Sequence, residues 1–168
     1  LEPGKHTLRV VVDPKNLVSE RDETNNETRS GLTLLVAIPQ QPELRPKGLV
    51  LNPSSPVRLG LNQTLNVLVE VLNTCPGVAE NVELEFSYRS TGSLRWIPIP
   101  CATNCSVDSL ESGARYIANA ELNLLGVVAG NYEVRAIVDP ANNIPELDEF
   151  NNEVQSAFKL LANRQPDL

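Results

Sequence analysis

The sequence predicts an all-β chain: a complete seven-stranded immunoglobulin-like β-sandwich, preceded by the terminal hairpin of another such unit. Three observations carry this reading. Apolar and polar residues alternate with period two in one segment after another, with clusters of turn-forming residues between them. The 13 prolines are scattered through the stretches where helices would have to run. A stretch near the start recurs without gaps 126 positions later.

In chain order, the first strand region spans 49–59 and is broken by Asn52-Pro53-Ser54-Ser55-Pro56. Leu65, Val67, Val69 and Val71 then mark a strand with one buried face, closed by the turn cluster Asn73-Thr74-Cys75-Pro76-Gly77. Val82, Leu84 and Phe86 alternate with Glu83, Glu85 and Ser87 in the next. Trp96-Ile97-Pro98-Ile99 is a shorter strand whose proline places it at a sheet edge. Beyond a loop over 101–113, Tyr116, Ala118, Ala120 and Leu122 face one way, as do Tyr132, Val134, Ala136 and Val138. Val154 to Leu161 closes the unit. About seven strands in a domain-sized unit with no helical period is the pattern of an immunoglobulin-like sandwich.

The repeat sets the domain boundaries. Residues 3–35 match 129–161 at 15 of 33 positions, where average composition would give about two. The identities include Arg9/Arg135, Asp13/Asp139, Pro14/Pro140, Asn16/Asn142, Glu20/Glu146 and Asp22/Asp148. Gln41-Pro42-Glu43-Leu44 follows the first copy and Gln165-Pro166-Asp167-Leu168 follows the second. Residues 1–38 are therefore expected to be the C-terminal hairpin of a preceding unit, 39–42 a link, 43–162 the complete unit, and 163–168 a link and the start of a following one. The chain has the organisation of a window from a tandem array.

Charge is concentrated in the repeated segment. Of a net charge of −7, Asp13 to Glu27 carries −3 and Asp139 to Glu153 carries −5, which leaves a near-neutral scaffold bearing two acidic loops. An acidic chain without clustered Lys and Arg is not a nucleic-acid binder. The longest nearly continuous apolar run, Leu32 to Ile38, is far short of a membrane span, so no direct membrane insertion is expected, and no signal peptide is visible.

With strands running alternately up and down, Cys75, the Cys101/Cys105 pair and the acidic loop are expected at one pole. A disulfide between Cys101 and Cys105 would pin a small loop. Cys75 with either of them would instead tie two loops together, and sequence leaves that choice open.

The ending Asn131-Tyr132-Glu133-Val134-Arg135-Ala136-Ile137-Val138-Asp139-Pro140, followed by Asn142, Ile144, Glu146, Asp148-Glu149 and Asn151-Asn152, resembles the CARDB domain, the cell-adhesion-related domain found in bacteria. Residues 3–35 match the same ending. Pro42-Glu43-Leu44, the strand ending in Asn73, and Ala79-Glu80-Asn81-Val82 are also similar to that family, so the resemblance covers the whole chain. It implies a seven-stranded immunoglobulin-like sandwich occurring in tandem in secreted or surface proteins of bacteria and archaea, usually without chemistry of its own. The 101–105 loop and Cys75 depart from the family pattern.

The acidic loop supplies carboxylate and amide oxygens of the type calcium prefers, with Asp139, Asn142, Glu146, Asp148 and Glu149 as the candidate ligands. The spacing is not that of a helix-loop-helix calcium site. Turn chemistry accounts for the same residues, since Asp and Asn cap turns and tolerate left-handed geometry. Without a cation, mutual repulsion should raise some carboxylate pKa values between Glu146 and Glu149.

No enzyme is expected: His6 is the only histidine, and the complete unit has none for a nucleophile-base pair. Three roles remain, all extracellular or at the cell surface. The first is a spacer in a tandem array, whose partners are neighbouring repeats. The second is a filament subunit completed by strands of identical chains. The third is an adhesion or carbohydrate-binding module using the loop pole, where Phe150 is the one aromatic.

Overall fold

The computed structural model describes residues 4–34, 40–60 and 64–162. The expected start of a following unit at 163–168, residue 39 of the link, and residues 1–3 and 35–38 of the hairpin lie outside the described residues. The chain forms two compact units, Leu1–Ile38 and Pro39–Leu168.

The first unit is a hairpin of β1 (Gly4–Val11) and β2 (Glu27–Leu34), paired antiparallel from Gly4 opposite Leu34 to Val11 opposite Glu27. The second contains β3 (Leu44–Asn52), β4 (Val57–Arg58), β5 (Thr64–Asn73), β6 (Ala79–Ser90), β7 (Ile97–Ile99), β8 (Cys101–Thr103), β9 (Ser106–Leu110), β10 (Arg115–Asn123), β11 (Gly130–Val138) and β12 (Glu153–Leu161). No helix occurs among the described residues, so none is long and apolar enough to cross a membrane. One sheet has the order β3-β5-β10-β8. The other runs β4-β12-β11-β6-β7, with β9 sharing the β6 edge.

The alternation in the sequence is the alternation of burial. Every second residue of β5 from Leu65 to Asn73 is buried, and Ala118, Ala120 and Leu122 of β10 face the same interior. From the other sheet come Val82, Leu84 and Phe86 of β6, Tyr132, Val134, Ala136 and Val138 of β11, and Phe158 and Leu160 of β12. Each fully buried aliphatic or aromatic side chain contributes about 1.5–3 kcal/mol. The seven expected strands correspond to β3 with β4, then β5, β6, β7, β10, β11 and β12. The proline-bearing β7 sits at the sheet edge.

The loop expected over 101–113 contains two further short strands. After β7 the chain crosses to the opposite sheet, where Cys101 of β8 lies opposite Ala120, and it then returns as β9 alongside β6. The crossing breaks the simple up-and-down count. Cys101 and Cys105 therefore lie part-way along the sandwich edge rather than at the pole with Cys75, which corrects the shared-pole expectation. Trp96, just before β7, packs against the guanidinium groups of both Arg89 and Arg135, each 4.3 Å from a ring centroid. Such contacts contribute about 0.5–1 kcal/mol each at an exposed site and hold the β6–β7 turn onto the sheet.

Val134 and Leu8 occupy equivalent positions in the two copies of the repeat, but Val134 is fully buried and Leu8 is exposed. Val134→Ala is expected to lower the unfolding free energy of the sandwich by about 2 kcal/mol. Leu8→Ala should change it by less than about 0.5 kcal/mol. Urea unfolding followed by Trp96 fluorescence checks both.

Candidate functional site

The acidic pole is built where β11 ends. Asp139 and Asn142 adopt left-handed conformations, with φ of 47° and 52°, which Asp and Asn tolerate better than most residues. Asp139 donates its N–H to the Glu83 carbonyl, which anchors the loop to β6. Its Oδ1 and Oδ2 accept the N–H groups of Asn143 and Ile144 at 3.0 and 2.7 Å. That turn buries Ile144 in the core.

The second half of the loop meets the start of β3 in a reciprocal exchange. Glu146 accepts the N–H of Leu44 through Oε2 and the side-chain amide of Asn152 through Oε1. In return, Glu43 accepts the N–H of Asp148 through Oε2 at 2.9 Å and the side-chain amide of Asn151 through Oε1. Arg45 pairs with the same Glu43 oxygen at 3.2 Å. Within the loop, Glu149 Oε1 accepts the N–H of Glu146 at 2.8 Å, and Asp148 Oδ1 accepts that of Phe150 at 3.0 Å.

Beneath this exchange lies Asn73, fully buried at the end of β5. Its Oδ1 accepts the N–H groups of Glu43 and Cys75, while its Nδ2 donates to the carbonyls of Gly77 and Leu110. One side chain thus joins β3, the 73–79 turn and β9. Gly77 packs directly under the backbone of Gln40 to Pro42: an added Cβ would stand 2.1 Å from the Gln40 carbonyl oxygen. The end of the expected link is accordingly seated, with Pro42 buried.

Of the candidate calcium ligands, Glu146 and Glu149 are brought together with Glu43. Asp139 uses both oxygens on its own turn, Asn142 is exposed on that turn, and Asp148 is exposed above the Glu43 contact. Among the described residues no group of three or more His, Cys, Asp or Glu could hold a metal ion. Of the five buried side-chain oxygens without a hydrogen-bond partner among the described residues, three belong to this loop: Glu149 Oε2, Asn151 Oδ1 and Asn152 Oδ1. Cys101 and Cys105 form a disulfide with Cα atoms 6.0 Å apart, and Cys75, half-buried in the 73–79 turn, is a free thiol.

Glu43 and Asn73 were not among the residues singled out from sequence as site residues. The signal for Glu43 was present: an acid follows proline at both repeat starts, as Pro42-Glu43-Leu44 and Pro166-Asp167-Leu168. A shallow groove of about 340 Å³ beside the pole, lined by Pro42, Val78, Asn81, Ile144 and Pro145 among others, contains no aromatic residue. Phe150 is 98% exposed.

The fold and the pole define an immunoglobulin-like β-sandwich module whose loop carboxylates clamp its own first strand. The CARDB family model matches residues 2–30 and 42–156, and the chain belongs to the CARDB family. It is thus an adhesion-related structural domain of a non-enzymatic family. No curated protein matches the chain.

Among solved structures, the crystal structure of the CARDB domain of the PF1109 protein from Pyrococcus furiosus, in complex with di-metal ions, is 18% identical. It aligns with a TM-score of 0.58, covering 76% of this chain and 100% of that one. The solution structure of the same domain aligns with a TM-score of 0.51 at 18% identity, covering 73% and 97%. A domain-sized part of the Pseudomonas fluorescens alkylpurine DNA glycosylase AlkC, bound to DNA containing an abasic site analogue, aligns with a TM-score of 0.50 at 18% identity. That match covers 71% of this chain and 31% of the glycosylase. At these identities the likeness is one of fold.

Burial pushes the Glu146 carboxyl up to about 7. The donors Leu44 N–H and Asn152 oppose the shift, and repulsion from Glu149 and Glu43 adds a smaller part. The upward direction expected from like-charge repulsion is therefore present, with desolvation as its main cause. Because the folded state holds this proton more tightly than the unfolded chain, the associated stability is complete below about pH 4.5 and is lost as pH rises through about 7. In calcium-free buffer the melting temperature of the sandwich should fall between these limits, and Glu146→Gln should flatten the profile.

Proposed function

We propose that this chain is part of an extracellular, non-catalytic tandem array on a prokaryotic surface or secreted protein, in which the complete sandwich is a spacer. The observation that carries the reading is the course of the chain through the sandwich. It enters at Gln40–Leu44, held at the acidic pole by Gly77, Asn73 and Glu146, and leaves from β12, whose last residues lie at the opposite end of the strands. Modules of this kind joined in series add length, and a seated link limits bending.

The alternative, a filament of identical chains exchanging strands, needs a sandwich with room for a borrowed hairpin. In the complete unit that place is filled, since β11 pairs with β6 from Tyr132 to Val138 and β12 pairs with β11. Chains carrying one, two and four tandem copies of 42–167 should show a maximum dimension in X-ray scattering that grows by a constant increment per copy. Growth closer to the cube root of mass, or polymerisation of the single-copy chain, overturns the spacer reading.

A second reading concerns a cation. The PF1109 domain is described in complex with di-metal ions, and here Glu149 Oε2, Asn151 Oδ1 and Asn152 Oδ1 are buried oxygens of the type calcium takes. On this reading those oxygens would hold the ion, and Asp139, Asn142 and Asp148 would serve as turn residues. Calorimetric titration of metal-free protein should give saturable heat that Glu149→Gln abolishes; no heat at millimolar calcium removes the reading.

A further inference from the structure

The turn between β8 and β9 carries a sequence pattern that the acidic pole does not use. Asn104-Cys105-Ser106 places a hydroxyl residue two positions after an asparagine, the pattern in which a transferase attaches an oligosaccharide to asparagine in secreted proteins. Asn26-Glu27-Thr28 and Asn62-Gln63-Thr64 share it, and the fold sets Asn104 apart. Asn26 is half-buried, its carbonyl accepts the N–H of Val12, and Glu27 and Thr28 already lie in β2, opposite Val11 and Val10. Asn62 lies outside the described residues. Asn104 and Ser106 are both exposed, the first in the turn and the second at the first position of β9.

Local contacts present Asn104 in a fixed way. Its backbone is left-handed, with φ of 57°, a conformation asparagine tolerates. The Cys101–Cys105 disulfide closes the turn around it, and the Cys105 carbonyl accepts the N–H of Leu84, which ties the turn to β6. Asn104 Nδ2 donates to the Ile117 carbonyl of β10 at 3.1 Å. A side-chain amide has two N–H bonds. One holds the side chain on β10, and the other can be replaced by a sugar without losing that contact.

Turn chemistry accounts for an asparagine at this position, but not for the surface beside it. On the outer face of the β3-β5-β10 sheet, Ile117 lines an apolar groove of about 170 Å³ together with Gly48, Val50 and Leu68. The groove forms where the β3–β5 register shifts between Lys47 and Val50. Val50 and Ile117 are 57% and 55% exposed, and half-buried Leu68 lies on the strand between them. Two strand spacings, about 10 Å, separate the β8 edge from β5, so Asn104 stands at the rim of the groove.

We infer that Asn104 is a glycan acceptor and that the attached oligosaccharide covers this groove. The donor is an oligosaccharide linked through diphosphate to a lipid. Asn104 Nδ2 attacks the anomeric carbon of its first sugar. The N–C bond forms, the C–O bond to the diphosphate breaks, the lipid diphosphate leaves with the electron pair, and the amide gives up one proton. Pyranose rings pack their C–H faces on aliphatic side chains, while their hydroxyls meet the polar groups bordering the groove, Lys47 and the Arg115–Glu70 pair at 3.4 Å. The inference rests on the extracellular reading only for access to the transferase.

The test secretes the full chain from a host whose transferase takes this pattern. Modified positions are mapped by mass spectrometry after a peptide N-glycosidase, which leaves Asp where a glycosylated Asn stood. Asn104 should be modified and Asn26 should not. Ser106→Ala, which keeps the Asn104 side chain, should abolish the modification at 104. An unmodified Asn104 in the secreted chain overturns the inference, as does modification of Asn26 to the same extent.

Methyl NMR then compares the glycosylated chain with Ser106→Ala. The Val50, Leu68 and Ile117 methyl resonances should shift and show contacts to sugar protons. Unshifted methyls overturn the covering of the groove. So does a concentration-dependent shift of the same methyls in Ser106→Ala, which would make a second copy the occupant. The secreting host supplies access to the transferase and a glycan does not report length, so this test fails or succeeds separately from the scattering test of the spacer.

Discussion

The structure turns on an exchange of hydrogen bonds between the first strand of the sandwich and its last loop. The N–H of Leu44 is accepted by Glu146, 102 residues away in sequence, and the N–H of Asp148 is accepted by Glu43. The Leu44 N–H is buried on the edge strand of its sheet, and a backbone donor buried without a partner costs about 1–3 kcal/mol. The carboxylates serve as side-chain extensions of the ladder, much as capping residues do at a helix end. Asn73 does the same beneath them, satisfying two donors and two acceptors from three different segments. The pole is thus closed by polar groups, and the position of the incoming chain depends on them.

That exchange gives the acidic loop a meaning apart from any ligand. Acids and amides concentrated in a short loop are also what a cation site would show, and composition does not separate the two. The separation comes from where the oxygens point: Asp139 towards the two N–H groups of its own turn, Glu146 towards a strand from the far end of the unit. The loop carries out two tasks, a local turn that buries Ile144 and a long-range clamp on Glu43 and Leu44. Burial of Glu146 then makes the clamp sensitive to pH near neutrality.

The elements legible in the sequence are those with one face in the core. Strands β5, β6, β10 and β11 announce themselves because alternate residues must be apolar to be buried. That the two terminal hairpins are built alike was legible through the repeat. Strand β8 was not, because all three of its residues are exposed and nothing constrains their polarity. For the same reason the crossing between sheets was invisible, and with it the true position of Cys101 and Cys105. Glu43 escaped as a site residue because a single acid beside a proline has no local pattern, and its partners lie more than a hundred positions away.

The two copies of the repeat divide the matter cleanly. Sequence alone determined the hairpin, its left-handed Asp and Asn positions and its main loop hydrogen bonds, since these recur at the same offsets in both copies. Such features depend on interactions among residues a few positions or one turn apart. Tertiary structure alone decided that Val134 is core while Leu8 is surface, and that Glu146 holds a strand. Burial and long-range pairing are properties of what packs against a segment, and the segment does not encode its neighbours.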